Sequence, residues 1–433
     1  MPRPKKIVPT AETEKEVKAP EQETAPVEAQ APKAVKSKMV CVADYPADDD
    51  DDDSQRILEA LHARGQAEGF KLATNIDRPY LPFPKDWIAM QWLIGRPGIP
   101  LNTVIAVAGE EGLGKSSLVV SMFGEFIKRR MKCLYISTEP KGQDTTWMAR
   151  LMSDNIEEGH KLLNKLVIND GVYTLKQMET AMKEYVDVVR NELQVPKAVP
   201  IVVAVDSYTK LMNPEEADAL MAVDKRSGKD LSLKSNLDDV SKKPGVTAKW
   251  LALWSRSLKH FLENNNVTMV LVAGSTQDQK ANQMLPDAYI AKHNKSKPGG
   301  VAINQIASII MKMSQVGIAK DSSNNQIGYK MSLFTQKNTY GKKEKDLTYI
   351  YKDEEVTSET AFGPTIFDME ESLCNLVAEN NILGTTLKAK RYTCEELGIV
   401  RAEAHTFFNA ITSDENIKNK VCAKLKIAGY ELG

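Results

Sequence analysis

The sequence predicts an α/β fold built on a mainly parallel central sheet, on three observations. Between about Leu81 and Tyr351, short β-branched runs recur: Val104-Ile-Ala-Val-Ala, Cys133-Leu-Tyr-Ile, Ile201-Val-Val-Ala-Val, Thr268-Met-Val-Leu-Val-Ala and Ile306-Ala-Ser-Ile-Ile-Met. They are apolar nearly throughout rather than alternating, as strands covered on both faces are. Helical patterns separate them: residues 246–263 place Ala248, Leu251, Ala252, Leu258, Phe261 and Leu262 largely on one stripe, which suits a helix lying on a sheet.

The flanks read differently. Residues 1–53 hold 8 Lys/Arg against 13 Asp/Glu, including the unbroken run Asp48 to Asp53. Up to about residue 40 large apolar side chains are almost absent, so burial cannot offset the entropy of ordering, and a disordered low-complexity tail is expected. The acidic run lacks the spaced carboxylates, turn glycine and distal Glu of a calcium loop, and reads as a solvated segment. Residues 54–80 open with Ile57, Leu58 and Leu61 at helical spacing, an N-terminal helical segment. A core over residues 81–365 follows. In residues 366–433, short helical patterns separated by Gly384, Gly398 and Gly429 predict a small helical C-terminal domain.

At 433 residues, more than one domain is expected. Removing the tail from the chain totals of 57 Lys/Arg and 58 Asp/Glu leaves 49 against 45, a body with net charge +4. That excess does not identify a nucleic-acid partner; clustering of the cations has to. Cys41, Cys133, Cys374, Cys394 and Cys422 form no CxxC pair and no dense pattern, which excludes a disulfide scaffold and fits a reducing compartment. No run of 18 uncharged apolar residues occurs, and Met1-Pro-Arg-Pro-Lys-Lys opens a polar stretch; a soluble, cytoplasmic protein with no membrane partner is expected.

The strongest local signal is Gly109-Glu110-Glu111-Gly112-Leu113-Gly114-Lys115-Ser116, which matches G-x-x-x-x-G-K-[ST]. The strand pattern Val104 to Ala108 precedes it, and Ser117 leads into the helical run from Leu118. The chemistry needs this order. Glycines let backbone N–H groups turn inward around phosphates at a positive helix end, Lys115 reaches the β/γ oxygens, and Ser116 ligates Mg²⁺. Residues 109–117 are therefore the candidate ATP site. Asp206, at the end of Ile201-Val-Val-Ala-Val-Asp, is the second candidate Mg²⁺ ligand.

Five further segments follow in order: Tyr135-Ile-Ser-Thr-Glu139; Asp144-Thr-Thr-Trp147-Met-Ala-Arg; Thr268 through Gly274 to Ser275-Thr-Gln-Asp278; Pro298-Gly299-Gly300-Val-Ala-Ile-Asn; and Lys337-Asn338-Thr339. Together with the phosphate loop they resemble the RecA family of DNA strand-exchange recombinases, especially its phage UvsX branch, over roughly Leu81 to Tyr351. The resemblance implies a RecA-like ATPase core. It assigns Glu139 the activation of the attacking water, Trp147 stacking on adenine, and Asp144 acceptance of the adenine amine. The γ-phosphate sensor falls on Ser275, Thr276 or Gln277, with Ser275 the candidate chosen; the family has a Gln in RecA and His-Thr in the UvsX branch.

Gly299 and Gly300 resemble the pair that closes the family's second DNA loop. Within that loop Lys280, Lys292, Lys295 and Lys297 supply cations for phosphates and Tyr289 an aromatic for bases, as single-strand binding requires. By composition alone the same residues also suit a solvated basic loop. Residues 213–245 fall where the first DNA loop lies, nearly balanced in charge and with no contacts assigned. Lys337 resembles a lysine that, in the RecA branch, reaches the γ-phosphate of the neighbouring subunit; Thr339 departs from the second lysine there.

The implied activity is a DNA-dependent ATPase that assembles as a helical homo-oligomeric filament on single-stranded DNA and pairs it with a homologous duplex, using ATP and Mg²⁺. If phage-encoded, it acts in the bacterial host cytoplasm. A RecA-fold helicase or other nucleic-acid motor is the alternative, against which stand the Glu139 context and the Gly299-Gly300 closure. A non-hydrolysing regulator is a third class, against which Lys115, Ser116, Glu139 and Asp206 are all intact.

Overall fold

The computed structural model describes residues 79–84, 86–138, 144–172, 174–211, 246–274, 304–321, 323–342, 344–352 and 363–427, all within one compact unit. The expected tail 1–53, nearly all of the expected helical segment 54–80, and the expected DNA loops at 213–245 and 279–300 lie outside these residues.

The described chain opens with β1 (Tyr80–Pro82), α1 (Ile88–Ile94) and β2 (Gly98–Pro100), with β1 and β2 paired antiparallel. The phosphate-loop strand is β3 (Val104–Gly109), followed by α2 (Lys115–Lys128), β4 (Lys132–Ser137), α3 (Thr145–Met152) and α4 (Ile156–Leu163). Then come β5 (Leu166–Asn169), α5 (Leu175–Asp187), β6 (Ile201–Asp206), α6 (Val246–Asn265) and β7 (Val267–Gly274). A Thr174–Gln177 capping box starts α5, the reciprocal pairing that satisfies two otherwise orphaned N–H groups. Next are three long strands, β8 (Ala307–Lys320), β9 (Gln326–Asn338) and β10 (Asp346–Lys352). The chain continues through β11 (Phe367–Asp368), α7 (Glu370–Glu379), β12 (Thr385–Lys388), β13 (Arg391–Cys394), β14 (Ile399–Ala402), α8 (Ala404–Thr412) and α9 (Glu415–Lys424).

Nine strands form one sheet in the order β11-β10-β9-β8-β3-β7-β6-β4-β5. From β8 to β5 all pairs are parallel; β8 to β11 run antiparallel. The predicted mainly parallel sheet is thus present, and its two faces explain the apolar runs. Ile105, Val107, Cys133, Tyr135, Val202 and Val270 pack on one side with Leu118, Phe123 and Phe126 of α2. Val104, Ala106, Leu134, Val203, Met269 and Leu271 pack on the other with Met178 and Met182 of α5 and Leu258 and Leu262 of α6. Alternate residues leave opposite faces of a strand, so a strand covered on both sides has no polar face to show.

The C-terminal segment departs from expectation. Instead of a small helical domain, residues 363–427 combine three helices with the antiparallel sheet β12-β13-β14. Its strands are four residues long and mix Thr, Lys and Arg with apolar residues, and the first two join through Ala389 and Lys390 at φ 48° and 58° in place of the expected glycine. Nor does a separate core begin at residue 366. Phe367, Leu373, Val377, Phe407 and Val421 belong to the same apolar cluster as Trp87 and Phe123, and the Phe367 ring meets Trp87 edge-on at 5.4 Å.

Candidate functional site

Because β3, β4, β6 and β7 are parallel, their carboxyl ends share one edge of the sheet, the place where open α/β sheets bind ligands. The phosphate loop leaves β3 there. Gly112 and Gly114 take φ 79° and 77°, left-handed values that cost a side chain about 1–2 kcal/mol per residue. Gly114 is the residue before α2 and provides no side-chain cap, so the first N–H groups of the helix are left for a ligand. Ser116 and Ser117 lie in that first turn.

Lys115 is buried at 8 % exposure, and its ammonium folds back to donate to the Glu110 carbonyl. Glu110 and Glu111 are exposed, and Leu113 packs on the core. The ring of Tyr351, at the end of β10, lies against Gly114: a Cβ there would come within 3.2 Å of it. Its hydroxyl is 3.0 Å from Ser117 Oγ. The sequence motif contains no sign of Tyr351, which reaches the loop only through the antiparallel half of the sheet.

Asp206 ends β6, separated from β3 by β7 alone, and is 8 % exposed. The Tyr135 hydroxyl donates to Asp206 Oδ2. A tyrosine in a buried strand needs such a partner, which is the one signal of this contact in the sequence. The Asp206–Ser207 peptide is cis. Among the described residues no group of three His, Cys, Asp or Glu gathers as a metal site. Ser116 and Asp206, one hydroxyl and one carboxylate at the same edge, fit a hard Mg²⁺ ion that takes its other oxygens from phosphate and water.

Asp144 caps α3: its Oδ1 accepts from the N–H of Thr146 at 2.9 Å and of Trp147 at 3.2 Å. One carboxylate oxygen is thus committed to the helix. Trp147 is half-buried and packs on the core. This placement depends on Gly124 of α2, where a Cβ would stand 2.2 Å from the Met152 carbonyl oxygen. Lys312, missed in the sequence, stands opposite Ala108 on β8; it is buried, and desolvation holds its ammonium below the ordinary lysine pKa.

Lys337 lies elsewhere. It pairs with Ile310 of β8, which pairs with Ala106 of β3, and its Nζ donates to the Asn304 carbonyl at 2.6 Å, ahead of the start of β8. It lines a cleft of about 570 Å³ with Thr103, Leu258, Leu262, Ile306 and Tyr340, at the amino edge of the sheet. At about 3.3 Å per residue, β3 alone sets that edge roughly 15–20 Å from the phosphate loop. Thr339 is tied to Ser308 O through its hydroxyl at 2.8 Å.

Glu139, Ser275, Lys280, Tyr289, Lys292, Lys295, Lys297, Gly299 and Gly300 lie outside the described residues. Glu139 and Ser275 each directly follow a described residue, Thr138 and Gly274, at the phosphate-loop edge.

No protein-family model matches the chain, and no curated protein sequence does. Among solved structures, the crystal structure of the RadB recombinase matches over 61% of this chain and 93% of that one, at 12% identity and a TM-score of 0.39.

Proposed function

We propose that the chain is an ATP-dependent DNA recombinase that assembles head to tail on single-stranded DNA and catalyses homologous pairing and strand exchange. The observation that carries this reading is the placement of Lys115 and Lys337 on opposite edges of one sheet. A cation whose ammonium is held at the amino edge by the Asn304 carbonyl, away from its own phosphate loop, is suited to serve a neighbour's, and an active site shared between protomers makes hydrolysis depend on assembly.

In this reading the amides at the start of α2 bind the phosphates of ATP, and Lys115 exchanges the Glu110 carbonyl for their β/γ oxygens. Ser116 and Asp206 would hold Mg²⁺, which neutralises charge on those oxygens when bound. Glu139 accepts the proton of the attacking water, Trp147 and Asp144 hold adenine, and Ser275 senses the terminal phosphate. Lys337, from the adjacent protomer, stabilises charge on the transferred phosphoryl. Lys280, Tyr289, Lys292, Lys295 and Lys297 hold the strand without reading its sequence, within a loop closed by Gly299 and Gly300, and base pairing with the incoming duplex tests homology.

The test is ATP-dependent pairing of a labelled single strand with a homologous duplex, with Lys115→Ala and a non-homologous duplex as controls. Joint molecules that need ATP, Lys115 and homology are expected. Absence of joints together with ATP-driven unwinding of a forked duplex would overturn the recombinase reading in favour of a helicase.

A further inference from the structure

The short turn after β6 touches the ends of β7 and β4 at the phosphate-loop edge. The ladder between β6 and β7 stops at Val205 and Leu271, so the last residues of β7 extend beyond their neighbour on that side. On its other side Gly274 still pairs with Gly109, the first residue of the phosphate loop. Where the next ladder partner would stand, the Gly274 N–H donates instead to the hydroxyl of Thr209 at 3.0 Å. Thr209 Oγ1 is in turn 3.0 Å from Ser207 Oγ. Ser207 is clamped to the end of β4: its N–H donates to Thr138 Oγ1 at 2.8 Å, and the Thr138 hydroxyl donates to the Ser207 carbonyl at 3.0 Å.

The edge is therefore held by a row that starts at the Gly109–Gly274 ladder pair and runs by hydrogen bonds from Gly274 through Thr209 and Ser207 to Thr138. Both ends of this row border residues that the proposed reaction uses: Gly109 opens the phosphate loop, and Thr138 precedes Glu139. In the middle, Gly274 precedes Ser275 and the basic loop. Three side-chain hydroxyls carry this row; those of Thr138 and Ser207 are buried and that of Thr209 is exposed, so the Thr209 link can open without disturbing the core. The neighbouring Lys210 adds a contact from the same turn to the phosphate loop, with its ammonium 3.4 Å from Glu111.

We infer that Thr209 is a positioning residue that sets the end of β7 against Asp206, and through it couples the nucleotide site to the DNA-binding segment after Gly274. The inference rests on the proposed function, in which that segment holds single-stranded DNA. Thr209 touches no reacting atom. Its hydroxyl holds the Gly274 N–H at the end of β7, so that a change at the phosphate loop is transmitted through Gly274 and not absorbed by a loose strand end.

The test uses the full chain with Thr209→Val, which keeps the shape and removes the hydroxyl, and Thr209→Ser, which keeps the hydroxyl. Steady-state ATP hydrolysis is measured with and without single-stranded DNA, and a fluorescent ATP analogue reports nucleotide affinity. Thr209→Val is expected to lower the DNA-stimulated kcat about fivefold, the factor that one lost hydrogen bond represents. KM for ATP, the DNA-free rate and analogue binding are expected to stay as in the native chain, and Thr209→Ser to restore stimulation. Native stimulation in Thr209→Val, failure of Thr209→Ser to rescue, or a matching rise in KM for ATP each overturns the inference. If single-stranded DNA does not stimulate even the unmodified chain, the recombinase reading fails first, and the native control alone reveals that.

Discussion

Lys115 and Lys337 invite comparison. Both are lysines whose ammonium is satisfied by a backbone carbonyl, Glu110 O for the first and Asn304 O for the second. Lys115 begins a helix at the carboxyl edge of the sheet, next to uncapped N–H groups and left-handed glycines. Lys337 sits in an antiparallel strand and faces a cleft at the amino edge. The first environment has the glycines and open helix start that suit a phosphate; around the second, no such loop lies among the described residues. On the function proposed above, one chain would carry two halves of a composite site, facing in opposite directions.

Complementation separates the two lysines by the largest expected effect. Lys115→Ala alone is expected to lower ATP hydrolysis by roughly 10²–10³-fold, the loss seen when one preorganised charge-stabilising donor is removed. Its melting temperature should stay close to native. Lys337→Ala alone should lower hydrolysis only under conditions of assembly. Mixed in equal amounts, the two variants should recover roughly a quarter of native activity, since about one interface in four pairs an intact Lys115 with an intact Lys337 in a random polymer. Activity that stays at the level of the weaker variant would falsify action in trans.

Smaller effects sharpen the description of the phosphate edge. Gly114→Ala imposes about 1–2 kcal/mol of left-handed strain and presses a methyl on Tyr351. Nucleotide affinity is expected to fall roughly tenfold, the equivalent of about 1.4 kcal/mol, as read by titration with a fluorescent ATP analogue. Tyr351→Phe removes only the hydroxyl facing Ser117, and a change of about 0.5–1.5 kcal/mol in the same titration is expected; a larger one would mean that Tyr351 touches nucleotide directly. Asp144→Ala should cost about 1 kcal/mol of stability through the lost cap of α3, measured by denaturant unfolding. Asp144→Asn preserves the cap, so a KM change that survives in it reports on adenine binding and not on the helix.

How much of this could be read in the sequence follows from what covers each strand. Val104 to Ala108 and Ile201 to Val205 announce themselves because both of their faces are apolar, and β3, β4, β6 and β7 fall within a residue or two of their apolar runs. The left-handed turn at Gly112 and Gly114 between β3 and α2 was legible because its residue types recur at a short fixed spacing. The antiparallel half was harder. Much of β8 beyond Met313, and much of β9, is partly exposed, so its pattern mixes Ser, Gln, Gly and Lys with apolar residues. The hairpin from Thr385 to Cys394 turns without glycine. Tyr351 and Thr209 lay beyond reach for another reason: their partners Ser117 and Gly274 are distant in the chain, and nothing local marks such a pairing.

By itself the sequence determined the parallel half of the sheet and the glycine turn between β3 and α2, since local periodicity and backbone sterics act over a few residues. Only the tertiary structure decided that β7 lies between Gly109 and Asp206, that Thr209 closes the row of hydrogen bonds along that edge, that Lys337 stands on the opposite edge, and that the C-terminal segment shares the core of the rest. Those are consequences of strand order, which is set by the burial of whole faces against one another and leaves no mark in any one stretch of chain.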